Sequence, residues 1–177
     1  MSDTDINMLR TLLNHHLERK GSSKKFVGTI YSDINTLNKI LDYFTEEYIG
    51  KTDVVVAIDG SGYIIGSMVS RELGVGFIPV VKESTNNDFG DEYLRAAYID
   101  HRDKPRSLVI RKDLFEKGQN VLIVDNWIES GVTIRALLSI LEEAEVHVAG
   151  IVTYGINDNP NTHSLKEDFQ VTAIVEE

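Results

Sequence analysis

Val121-Leu-Ile-Val-Asp125-Asn126-Trp-Ile-Glu129-Ser130-Gly131-Val132-Thr133 is the stretch whose reading decides the fold of this chain. It begins as a short, wholly apolar run, which suits a parallel strand buried on both faces. It then turns polar and leads into Leu137, Leu138, Ile140 and Leu141, spaced as one face of a helix. Strand, polar loop and helix make the repeating unit of an open α/β sheet. In such sheets, ligands sit where the carboxyl ends of strands lead into helix N-termini. At the strand tip, the carboxylate of Asp125 and the amide of Asn126 can bind two neighbouring hydroxyls. Ser130, Gly131 and Thr133 offer hydroxyls and exposed amides at a helix start, which suits one phosphate. Hydroxyls beside a phosphate describe a ribose 5-phosphate. A plainer reading of the same residues makes Asp125 a helix cap and Ser130 and Thr133 local caps.

Upstream the same unit repeats. Asp53-Val-Val-Val-Ala-Ile58 is a second uniformly apolar run and breaks at Asp59-Gly60-Ser61-Gly62. A helix with Ile64, Ile65, Met68, Val69 and Leu73 follows, then a strand over Gly76–Val81 closed by Lys82-Glu83. The glycines of 59–62 let the backbone approach an anion, and the following helix aims its free amides there. Glycine for turn geometry alone is the plainer alternative. A dinucleotide fingerprint is a third reading, but Gly60-x-Gly62-x-x-x-Gly66 is one residue longer than the usual pattern, and Lys82 beside Glu83 fits a ribose carboxylate poorly.

Outside this centre, apolar residues at helical spacing predict a helix from Ile6 to Leu17 and another from Leu37 to Tyr48, closed by Gly21 and Gly50. Strand-like pieces near 93–99 and 107–111 flank a turn, the polar stretch 84–92 reads as a loop, and His147–Tyr154 and Gln170–Val175 read as strands, the last at an edge. The alternation predicts an α/β fold, a single domain with a central, mostly parallel sheet flanked by helices.

Composition narrows the function. The chain has 177 residues, 42% of them hydrophobic, enough for one buried core. The absence of cysteine excludes disulfides, thiolate metal sites and cysteine nucleophiles. A formal charge of −10 argues against nucleic acid as the main partner, since duplex binding leans on a basic surface. No stretch reaches the roughly 18 apolar residues of a membrane span. The acidic start, Met1-Ser-Asp-Thr-Asp5, lacks the order of a secretory signal, so a cytoplasmic protein is expected.

The decisive stretch resembles the signature of type I phosphoribosyltransferases: an apolar strand, two acids, three variable residues, then Thr-Gly-Gly-Thr. Residues 54–82 are similar to the adenine branch of that family, with its pyrophosphate loop, an aromatic at Tyr63, Glu72-Leu-Gly74 and a terminal Lys82. Lys112-Asp113 and Gly118-Gln119 also match, and Ile30-Tyr31-Ser32-Asp33-Ile34 looks like its base-covering segment. The resemblance covers roughly residues 26–155. It implies a domain over 1–177, with N-terminal helices and the base-covering segment in 1–50 and the core in 51–177.

The implied reaction is attack of a purine-type base, adenine-like, on C1 of phosphoribosyl pyrophosphate with release of pyrophosphate. Mg²⁺ would be held through the substrate rather than by protein ligands. Carried across by position, Asp125 and Asn126 hold the ribose hydroxyls as catalytic residues. Glu129, Ser130, Gly131, Val132 and Thr133 hold the 5′-phosphate. Asp59, Gly60, Ser61, Gly62 and Lys82 meet the pyrophosphate, and Tyr31 stacks on the base. A homodimer is the implied assembly.

Four residues depart from the family pattern. Asn126 replaces the second acid, Ser61 an arginine, Val132 a glycine, and Glu129 a small residue. A carboxylate ~5 Å from a phosphate charge costs about 3 kcal/mol at an effective dielectric near 20. These departures motivate the alternative of a non-catalytic sensor that keeps the phosphoribosyl site.

Overall fold

Val54, Val56 and Ile58 belong to one apolar core and the intervening Val55 and Ala57 to another, and all five are buried. A strand that buries both faces in this way must lie in the middle of a covered sheet. In the computed structural model, which describes residues 3–16, 18–20, 24–26, 28–58, 60–83, 90–100 and 103–177, it does.

In chain order the elements are α1 (Asp3–His16), β1 (Glu18–Lys20), β2 (Lys24–Phe26), a 3₁₀ turn (Gly28–Ser32), α2 (Ile34–Thr45), β3 (Val54–Ile58) and α3 (Ser61–Leu73). They continue with β4 (Gly76–Glu83), β5 (Tyr93–Ile99), β6 (Pro105–Arg111), β7 (Asn120–Ile128), α4 (Val132–Glu143), β8 (His147–Ile156), α5 (Pro160–Asp168) and β9 (Val171–Glu176). β1 and β2 pair as a small antiparallel ribbon, while the other seven strands form one sheet in the order β5-β6-β4-β3-β7-β8-β9. The pairs β4–β3, β3–β7, β7–β8 and β8–β9 are parallel, and β6 pairs antiparallel with both β4 and β5. The sheet is therefore mostly parallel, with β9 at an edge, as the sequence predicts.

On one face lie α1, α2 and α3, contributing Leu9, Leu13, Leu37, Ile40, Phe44, Ile65 and Val69 to the core. On the other lie α4 and α5, contributing Ile134, Leu137, Ile140, Leu141 and Leu165. Each fully buried aliphatic side chain stabilises the fold by about 1.5–3 kcal/mol. No helix among the described residues is long and apolar enough to cross a membrane.

Two close approaches set how closely the elements of this face sit on the sheet, one from α3 and one from the turn after α2. A Cβ on Gly66 would lie 2.5 Å from the Ala57 side chain, so α3 rests directly on β3. Gly66 thus has a packing role that no nucleotide fingerprint is needed to explain. A Cβ on Gly150 would lie 2.5 Å from the Tyr48 ring, which lies over β8.

Candidate functional site

The parallel strands β3, β4, β7 and β8 all point their carboxyl ends the same way, and residues 60–62, Lys82 and residues 125–133 lie at or just beyond those ends.

β7 runs further than the apolar Val121–Val124 alone predicts. It continues to Ile128 because β8 keeps pairing with it, Asp125 opposite Thr153, Trp127 opposite Gly155 and Ile128 opposite Ile156. Asp125 and Asn126 are thus strand residues rather than the start of a loop, which fixes their direction more firmly than a loop would. Both are half-buried, and the Asn126 backbone N–H donates to Asp125 Oδ1 at 2.7 Å. Burial pushes the Asp125 carboxyl up to about 6. The Lys82 ammonium opposes that rise, as do the amides of Asn126 and Trp127, whereas Glu129 adds to it. Lys82 and Glu129 therefore both lie within electrostatic reach of Asp125.

α3 brings the fourth group. A Cβ on Gly62 would lie 3.7 Å from Asp125 Oδ1, so the first turn of α3 lies against this carboxylate. Its N-cap is Gly60, with φ of 90° and no side-chain capping bond. The conformation is one that a β-carbon disfavours. Ser61 opens the helix and is half-buried. The Tyr63 hydroxyl donates to Val80 O at 2.8 Å and ties this turn to β4 just ahead of Lys82. Asp59 lies outside the described residues.

After Ile128, the chain turns through Glu129 and Ser130 to Gly131, which is buried with φ of 75° and is the N-cap of α4. No side chain caps α4. The plainer alternative, capping by Asp125, Ser130 or Thr133, does not hold for α4: Asp125 is held in β7, and a left-handed glycine stands at the N-cap in place of a capping side chain. Among the described residues, the amides of Ser130, Gly131, Val132 and Thr133 donate to no protein acceptor, and the hydroxyls of Ser130 and Thr133 have no protein partner. Unspent N–H groups at a helix start, behind a left-handed residue, form an anion-binding concavity.

Tyr31 stands in the 3₁₀ turn, half-buried against the core under α1–α3. Its hydroxyl accepts from Tyr154 on β8 at 3.5 Å, and burial raises both phenols. It is joined to β8, and no described contact links it to the Asp125 cluster.

The segment joining β8 to α5 takes part in the site and was not singled out in the sequence. The Trp127 indole N–H donates to Asn157 Oδ1 at 2.7 Å, and Asn159 and Asn161 donate to backbone carbonyls of the 129–131 turn. The available signal was Asn159-Pro160, a capping residue before proline at the first helical position.

No group of three or more His, Asp or Glu residues that could hold a metal stands together among the described residues. One half-buried carboxylate facing an anion cradle is a donor set suited to a hard cation carried in on phosphate oxygens.

A family model described as Phosphoribosyl transferase domain matches residues 30–175. The chain is 34% identical over 160 residues to an adenine phosphoribosyltransferase of Clostridium perfringens, covering 89% of this chain and 90% of that one. Among solved structures, adenine phosphoribosyltransferase of Rhodothermus marinus superposes with a TM-score of 0.83 at 21% identity, over 97% of this chain and 99% of that one. The Trypanosoma brucei enzyme, solved with AMP, pyrophosphate and ribose-5-phosphate, superposes with a TM-score of 0.81 at 17% identity, over 96% of this chain and 80% of that one.

Proposed function

The chain belongs to the phosphoribosyltransferase family, and from that premise we propose that it transfers the phosphoribosyl group of phosphoribosyl pyrophosphate to a purine, adenine first. The observation that carries this reading is the turn after β7. Its free amides and hydroxyls lie a few residues beyond a carboxylate that faces Lys82 and the first turn of α3. A phosphate at that turn, ribose hydroxyls at Asp125 and pyrophosphate at α3 and Lys82 follow the order of groups in the substrate.

In the reaction, a base nitrogen forms a bond to C1 as the bond from C1 to the pyrophosphate oxygen breaks. The electron pair leaves with pyrophosphate, and the nitrogen's proton is released. The transition state carries positive charge on the ribose, so catalysis consists of positioning and charge stabilisation. Asp125 and Asn126 hold the ribose hydroxyls, and ionised Asp125 favours the developing cation. Residues 129–133 hold the 5′-phosphate, and Asp59, Gly60, Ser61, Gly62 and Lys82 receive the pyrophosphate. Tyr31 lies against the base. Mg²⁺ carried in with the substrate would offset the leaving group's charge, and Asp125 is the described carboxylate that would support it. A homodimer is proposed on the family resemblance alone, and sedimentation equilibrium tests it.

The relatives named above are described as transferases and none as a sensor, which favours transfer over binding alone despite the four departures. The test is titration calorimetry with phosphoribosyl pyrophosphate, with and without Mg²⁺, beside a Thr133→Ala variant. The expected result is micromolar binding that Thr133→Ala weakens. No binding at millimolar ligand would overturn the assignment.

A further inference from the structure

Every backbone carbonyl of the turn after β7 is already occupied. The Asn157 amide donates to Ile128 O at 2.9 Å, and the Arg135 amide donates to Gly131 O at 3.0 Å. Between them, Asn159 Nδ2 donates to Glu129 O at 2.9 Å and Asn161 Nδ2 donates to Ser130 O at 3.2 Å. Alternate residues of the β8–α5 connection and the first turn of α5, Asn157, Asn159 and Asn161, therefore hold successive carbonyls of the turn.

A trans peptide places its C=O and N–H on opposite sides of the unit. Drawing the Glu129 and Ser130 carbonyls toward α5 therefore turns the amides of Ser130 and Gly131 the other way. Those are two of the amides that donate to no protein group among the described residues.

We propose that Asn159 and Asn161 are positioning residues, which hold these two peptide units so that the Ser130 and Gly131 amides meet the 5′-phosphate. The inference rests on the phosphate assignment above. Without the clamp, either peptide can rotate and present a carbonyl oxygen to the anion, exchanging attraction for repulsion.

Residue type supports the assignment at Asn159. Its Oδ1 accepts from the amides of Asn161 and Thr162, at 3.1 and 3.2 Å, and so caps α5. Its Nδ2 meanwhile donates to the turn. A carboxamide does both with two separate atoms, whereas a carboxylate caps but has no donor, and a serine hydroxyl offers its one O–H from the capping atom itself, one bond closer to its own backbone. The connection is itself fixed in place. The Trp127 indole holds Asn157, Thr162 Oγ1 donates to Asn157 O at 2.7 Å, and a Cβ on Gly131 would lie 3.5 Å from Asn161 Cβ.

The test uses the full chain, Asn159→Ser and Asn161→Ala, with ribose 5-phosphate and inorganic pyrophosphate as separate calorimetric probes. Asn159→Ser keeps a capping oxygen and changes no charge. Each variant is expected to lose roughly tenfold in affinity for ribose 5-phosphate, as befits a displaced charge-assisted bond. Pyrophosphate affinity and melting temperature should stay near the wild-type values, and Asn161→Gln should recover part of the loss. Variants that bind ribose 5-phosphate as wild type does would overturn the clamp and leave the phosphate assignment standing. Equal loss of both ligands with a lowered melting temperature would overturn it in favour of a purely structural role. Wild-type protein that does not bind ribose 5-phosphate would overturn the phosphate assignment, and the clamp with it.

Discussion

Asp125 is held where a charge is costly. Its carboxyl titrates near 6 because burial outweighs the help of Lys82 and the neighbouring amides, and Glu129 works against it. The folded-state value lies above the unfolded value of about 3.9, so the folded protein binds this proton more tightly. The resulting stability is fully present below about pH 4 and is lost as pH rises through about 6. At neutral pH the ionised group costs the ligand-free fold at most about 3 kcal/mol. Asp125→Asn should therefore raise the unfolding free energy by roughly 1–3 kcal/mol at pH 8, and by less at pH 5. Urea denaturation at the two pH values measures this. The same variant should bind phosphoribosyl pyrophosphate poorly. A gain in stability coupled to a loss of binding marks a group kept charged for a ligand.

Between elements, the tightest fit beside the site is that of Trp127 against Gly155. A Cβ on Gly155 would lie 2.2 Å from Trp127 Cη2, so the ring occupies the space of an absent side chain on the neighbouring strand. Gly155→Ala should cost roughly 2–3 kcal/mol through overpacking. The double variant with Trp127→Leu should be less destabilised than the sum of the single changes, as equilibrium unfolding of the four proteins would show. Much at this scale was legible in the sequence. β3, the first part of β7 and the helices after them were readable because uniform apolar runs and helical spacing are local signals. The extension of β7 through Asp125-Asn126 was not, since polar residues end the apolar run and the pairing that continues the strand lies about 30 residues away on β8. α5 was missed because Leu165 is its only buried apolar side chain, leaving no period to detect. The two clamping asparagines escaped notice for a related reason: their partners are backbone carbonyls, which no residue-type pattern reveals. Ser130 and Thr133 were ambiguous between capping and ligand binding, and the left-handed Gly131 removes the first role.

At the scale of the molecule, the order β4-β3-β7-β8 places four parallel strand ends side by side, and each supplies one part of the site. β3 leads to the α3 turn, β4 carries Lys82 next to its last residue, β7 carries Asp125 toward the 129–131 turn, and the chain after β8 delivers Asn159 and Asn161, which hold that turn. With a formal charge of −10, binding of a polyanion would have to rest on local devices, oriented amides at helix starts or a divalent cation that offsets the charge. The proposed roles of these strand ends are tested together by one measurement. Purified protein is incubated with adenine, phosphoribosyl pyrophosphate and Mg²⁺, and AMP and pyrophosphate are followed over time. Formation of both products in equal amounts, lost on Thr133→Ala or Asp125→Asn, is the predicted result. Binding of phosphoribosyl pyrophosphate with no AMP from adenine and no nucleotide from any other purine would contradict it.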